Sequence, residues 1–84
     1  MSDFKHVVQV ISEIDDRAQL EDFLYGITTQ TERDELGMRL EIIKQLLDGV
    51  PQHKIAKDLG VGVATVSRGS KELSSGRFKV LTDV

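Results

Sequence analysis

Eighty-four residues with a formal net charge of -3 and no cysteine make one domain, residues 1–84, too small for a large enclosed core and without disulfides to staple it. His6 and His53 are too few and too far apart to hold a metal, and Asp3, Lys5 and His6 stand where a signal peptide would carry its apolar core. With no apolar stretch long enough to span a bilayer, the composition leaves a cytoplasmic protein without membrane contact, whose remaining source of stability is a second copy of itself.

The apolar periodicity predicts an all-α chain. Ser2 or Asp3 caps a first helix in which Phe4, Val7, Val8 and Ile11 recur at helical spacing, ending near Asp15 and Asp16. A second helix begins around Asp16, gathers Leu20, Phe23, Leu24 and Ile27 on one face, and falters at Gly26 and the pair Thr28 and Thr29. A third should run from about Gln30 to Asp48. Thr29 and Glu32 have capping-box spacing at its start, and Gly49 followed by Pro51 ends it. Leu36, Leu40, Ile43 and Leu47 form its main stripe, which Ile42 and Leu46 widen beyond what one hairpin covers. Such a face fits burial between subunits, so residues 1–50 read as a dimerisation core.

The run from Gln52 to Arg68 reads as two short helices joined by a tight turn. Ile55 and Leu59 share one face of the first, and Ala56 is small enough to let the second cross closely. Gly60 supplies a left-handed residue at the helix end, Val61 plugs the corner, and Gly62 serves as the next N-cap. Val66 then points back towards Ile55 and Leu59. That is a helix-turn-helix, here the reading head of residues 51–73, with 74–84 a short tail. A plain helical hairpin inside a bundle is the alternative.

Charge is divided along the chain. Residues 1–50 carry five Lys/Arg against eleven Asp/Glu, net -6, whereas residues 51–84 carry six against three, net +3. The basic half holds the motif, and a basic head on an acidic body orients a protein on DNA while limiting indiscriminate binding. Val63, Ala64 and Ser67 are the candidates for facing bases, with Gln52, His53, Thr65 and Lys71 near phosphates. Enzymatic chemistry has no comparable support: no spacing joins nucleophile, base and orienting group, and Gly60-Val61-Gly62 lacks the preceding strand of a nucleotide-binding loop.

Glu32 to Arg39 (ERDELGMR), the following LEIIKQLLDG, and Leu59 to Ser70 (LGVGVATVSRGS) together resemble the bacterial tryptophan repressor family over the middle and C-terminal half of the chain. Its most specific mark is Arg68-Gly69-Ser70, with a glycine inside the second helix. Glycine there costs about 1 kcal/mol relative to alanine, and the β-branched Val63, Thr65 and Val66 loosen the helix further. In the family a small corepressor firms the head and sets the separation of two recognition helices in an intertwined homodimer. The resemblance implies that Arg39 and Arg68 sandwich the ligand's ring, that Arg68 also holds its carboxylate, and that Gly69 and Thr29 stand at family positions beside it. Thr65 occupies a family threonine. The pattern alone also allows Arg39 to snorkel over the core.

Glu72 departs from the family, which has a serine there. Its carboxylate could pair with a ligand ammonium, repel a ligand carboxylate, or reach back to neutralise Arg68 four residues earlier. The linker VPQHK is one residue shorter than the family's, and family phosphate-contact positions fall on His53 and Ala56, with Gln52, Lys54 and Lys57 as substitutes. The family's long last helix is reduced to a stub in Arg77 to Leu81, which alters dimer closure. The expectation is a dimeric repressor whose hold on a double-stranded DNA operator tightens with an amine-carboxylate corepressor, L-tryptophan or a relative. A ligand-independent DNA-binding head and a helical protein-interaction module are the alternatives.

Overall fold

The computed structural model describes residues 3–82. All six elements among them are helices: α1 (Asp3–Glu13), α2 (Arg17–Ile27), α3 (Gln30–Leu47), α4 (Gln52–Leu59), α5 (Val63–Ser74) and α6 (Lys79–Thr82). The all-α expectation holds. Ser2, one of the two expected caps of α1, lies outside the described residues. The chain forms two compact units, residues 1–33 and 34–84, with the boundary inside α3.

In the N-terminal unit, Asp16 caps α2 by accepting the Gln19 amide at 3.2 Å. The capping box predicted at the start of α3 is complete: the Glu32 amide donates to Thr29 Oγ1 at 3.2 Å, and the Thr29 amide donates to Glu32 Oε1 at 2.9 Å. Arg33 then fastens the α2–α3 turn. One of its terminal nitrogens donates to the carbonyls of Thr28 (2.7 Å) and Tyr25 (3.1 Å), and the guanidinium lies 4.5 Å from the Tyr25 ring centroid. Neither α1 nor α2 has a buried residue, and Phe4 is 72% exposed.

The C-terminal unit holds the core. Ile42, Ile55 and Val66 are almost wholly buried, with Met38, Leu46, Val50, Ala56, Leu59 and Val61 packed around them. Gly49 has φ 82°, with its amide donating to Leu46 O and the Val50 amide to Gln45 O, so α3 ends in a Schellman turn one residue before the predicted limit. Gly60 does the same work at φ 69°: its amide and that of Val61 both donate to Ala56 O. Gly62 caps α5 with φ -71°. Ile55, Leu59, Val61 and Val66 occupy the places their spacing assigned.

The third helix differs from its expected orientation. The residues that turn into the chain's own core are Ile42, Ile43 and Leu46, whereas Leu36 and Leu40 of the expected main stripe stay 52% and 47% exposed. The reason is the angular width of the stripe: α4 and α5 can cover only one edge of it, and they cover the Ile42 edge.

Candidate functional site

Three faces of α5 carry three jobs, as a period of 3.6 residues allows. Val66 is sealed in the core. Thr65, Arg68, Gly69 and Glu72, spaced i, i+3, i+4 and i+7, form a second face that lines a cavity of about 450 Å³. Val63, Ala64, Ser67 and Lys71 belong to a third, of which Val63 is 54% exposed.

The cavity is floored by Ile42 and Ile43 of α3 and walled on that helix by Leu36, Arg39 and Leu40. Arg39 and Arg68, far apart in the sequence but joined by the fold, therefore share one chamber. Gly69 explains its own presence at this crossing. A Cβ built there would stand 3.2 Å from Ile43 Cδ1, 3.4 Å from Ile42 Cγ2 and 3.7 Å from Leu46 Cδ1. The glycine costs α5 helical propensity but lets the helix lie against α3.

The electrostatics of the chamber are asymmetric. Glu72 is engaged through Oε2 by Arg77 Nε at 3.4 Å, so the ion pair with Arg68 that helical spacing allows is not the one formed. Arg68 forms no hydrogen bond or ion pair among the described residues. Arg39 has a loose, exposed partner in Glu35 at 3.9 Å, a contact of little energy. Two guanidinium groups thus face the chamber with their donors largely uncommitted, beside a carboxylate whose charge is already shared. An apolar ligand bearing a carboxylate fits that lining.

Phe78 completes the wall, and the sequence reading missed it. Its only signal was an aromatic ring in the polar tail Ser74 to Lys79. The backbone at Phe78 is left-handed, φ 66°, which costs a bulky residue about 1–2 kcal/mol. The Arg77–Glu72 contact precedes it, and the Leu81 amide donates to its carbonyl at 2.9 Å. Strain held in this way at a cavity wall points to a role for the ring. The expected C-terminal stub is present as α6, four residues long.

On the outer face, Ser67 Oγ donates to Gln52 Oε1 at 2.7 Å, tying the start of α4 to the middle of α5. His53, Ala64 and Lys71 are exposed, and the side chains of His53 and Lys71 make no hydrogen bond or ion pair among the described residues. Thr65, expected near phosphates, is on the cavity wall. Thr29 belongs to the N-terminal unit, where its hydroxyl acts as the α3 cap. The structure therefore gathers Arg39, Arg68, Gly69 and Glu72 together, and separately joins Gln52 to Ser67. No helix among the described residues is long and apolar enough to cross a membrane.

Residues 2–80 match the family model described as Trp repressor protein. Among curated proteins, the chain is similar to a Trp operon repressor homolog of Vibrio campbellii, 40% identical over 74 residues, which is 87% of this chain and 74% of that protein. A homolog from Vibrio cholerae is 37% identical over 75 residues, 88% and 73% of the two chains. One from Actinobacillus succinogenes reaches 46% identity over a shorter stretch of 54 residues, 63% of this chain and 54% of that protein.

Proposed function

Because this chain belongs to the Trp repressor family, we propose that it is a homodimeric repressor whose operator affinity rises when L-tryptophan, or a closely related amine-carboxylate, occupies the chamber between Arg39 and Arg68. The family is one of DNA-binding transcription regulators and not of enzymes. The observation that carries the ligand half of this reading is the convergence of Arg39, Arg68, Gly69 and Glu72 on one cavity behind the outer face of α5.

The residues divide the work by chemistry. The planar donor fork of Arg68 suits a carboxylate, and the two guanidinium planes suit the faces of an aromatic ring. Glu72 meets Arg77 through one oxygen, which leaves the other for a ligand ammonium. Ile42 and Ile43 supply the apolar floor and Phe78 the far wall. Val63, Ala64 and Ser67 face bases in the major groove, while Gln52, His53 and Lys71 reach towards phosphates. The half-exposed Leu36 and Leu40, with Phe4, are the surfaces a second copy covers.

Coupling follows from the shared helix. A ligand that binds only when α5 is well formed stabilises that state by about 2.7 kcal/mol at a hundredfold excess over its dissociation constant. DNA bound to the same state must then raise ligand affinity in return. The helix is receptive to such help because Gly69 and its β-branched neighbours leave it intrinsically loose. The ligand-independent alternative has Glu72 neutralise Arg68, and that pair is not formed among the described residues.

Calorimetric titration of the purified chain with L-tryptophan tests this reading, paired with operator binding at one fixed salt concentration. We expect saturable heat that disappears in Arg68→Ala, and tighter duplex binding when tryptophan is present. No heat at about millimolar ligand, a regime that would still detect binding of roughly 4 kcal/mol, would remove tryptophan as corepressor.

A further inference from the structure

The bond between Ser67 and Gln52 fixes what each side chain can still do. A serine hydroxyl has one proton and two acceptor lone pairs, and a glutamine amide has one acceptor oxygen and two donor hydrogens. At 2.7 Å the proton of Ser67 is given to Gln52 Oε1. Ser67 is left able only to accept, and Gln52 keeps the two donors of its NH2 group for other partners. Both residues are half-buried, so the pair is shielded in part from exchange with water. Pro51 stands at the N-cap of α4 immediately before Gln52, with its φ held at -61° by the ring.

This matters because an isolated serine is an indifferent reader: its hydroxyl rotates to donate to or accept from any base edge. We propose that Gln52 is a positioning residue that sets the polarity of Ser67, turning it into an acceptor-only reader that selects the exocyclic amino groups of adenine or cytosine over the O6, N7 and O4 acceptors of guanine and thymine. The proposal rests on the reading above that the Val63, Ala64 and Ser67 face enters the major groove. The freed amide of Gln52 donates to a neighbouring phosphate, so the two halves of the pair contribute differently, one to sequence preference and the other to overall affinity.

The test is selection of bound duplexes from a library randomised across the operator. It uses the full chain at fixed salt and fixed tryptophan, with Ser67→Ala, Gln52→Ala and Gln52→Glu as variants. In the parent protein one position should favour adenine or cytosine on the strand facing α5 by roughly three- to tenfold, the range one neutral hydrogen bond supports. Ser67→Ala and Gln52→Ala should both flatten that position and no other. Gln52→Glu keeps an acceptor for the serine proton but loses the amide donors and adds a negative charge. It should preserve the preference while weakening binding to every sequence alike. If Gln52→Ala leaves the preference intact while Ser67→Ala abolishes it, Ser67 orients itself and the proposed role of Gln52 is wrong. If Ser67→Ala alters no position, the reading face of α5 has been misplaced, and the inference falls with that placement.

Discussion

Replacing Gly69 by alanine separates stability from ligand binding. In favour of alanine is helix propensity, about 1 kcal/mol in a helix interior. Against it stand two contacts, 3.2 Å to Ile43 Cδ1 and 3.4 Å to Ile42 Cγ2, closer than the optimum of roughly 3.5–4.0 Å for carbon pairs. Overpacking of this kind costs about 1–3 kcal/mol, and the low end applies because the nearest atom is the tip of an isoleucine that borders open space. Ile43 lines the cavity, so its methyl can move there. The two effects nearly cancel, leaving a net change within about 1 kcal/mol of zero. The displaced methyl, however, takes up room the ligand needs. Urea unfolding, at one chain concentration because the stability of the proposed dimer would depend on it, should therefore show a midpoint close to the parent's. Tryptophan affinity should fall at least tenfold, a loss of about 1.4 kcal/mol. A variant stabilised by the full propensity gain, with unchanged affinity, would show that α5 has space at the crossing and would refute the reasoning.

Two further substitutions probe the ends of the site. Thr29→Ala removes one half of the capping box and should lower stability by about 1 kcal/mol, which Thr29→Ser should not; denaturation curves decide it. A loss of tryptophan affinity without a shift in the unfolding midpoint would instead make Thr29 a ligand contact. Phe78→Gly relieves the left-handed backbone at φ 66°, so we expect stability to be unchanged or raised by about 1 kcal/mol. The same change should weaken tryptophan binding roughly two- to tenfold, the worth of one aromatic contact, as read by calorimetry.

Where local chemistry dictates structure, the sequence was a sufficient guide. The Thr29 and Glu32 box, the Gly49 and Gly60 helix ends and the Gly62 cap all depend on neighbours within a few residues, and each forms as its residue types require. The inward set of Ile55, Leu59, Val61 and Val66 was legible for the same reason. The site was legible only in part. Arg39, Arg68, Gly69 and Glu72 could be grouped by family likeness, but the packing reason for Gly69 needs the position of α3, which no periodicity encodes. Helical spacing offered Arg68 as a partner for Glu72, whereas the turn at Gly76 brings Arg77 back to it. Phe78 had no periodic neighbours to mark it. Ser67 and Gln52 lie on different helices, and their bond exists only once the corner between those helices is folded. The apolar width of α3 announced more than one partner surface without saying which residues its own chain would claim.

Ile42 and Ile43 belong at once to the buried core and to the floor of the chamber. Shaving even one methylene from either would open space for a larger guest at a cost of about 0.5–1.5 kcal/mol to the fold, a large fraction of what so short a chain holds in reserve. The rim obeys another rule: Arg39 and Glu72 line the chamber yet are exposed, and exchanges at such places leave folding nearly untouched. Divergence among descendants of this chain is thus channelled. If the chamber holds the proposed corepressor, a lineage can acquire a taste for a different polar headgroup by successive exchanges at the rim, while the size of the apolar guest stays pinned by the same two side chains that keep the protein folded.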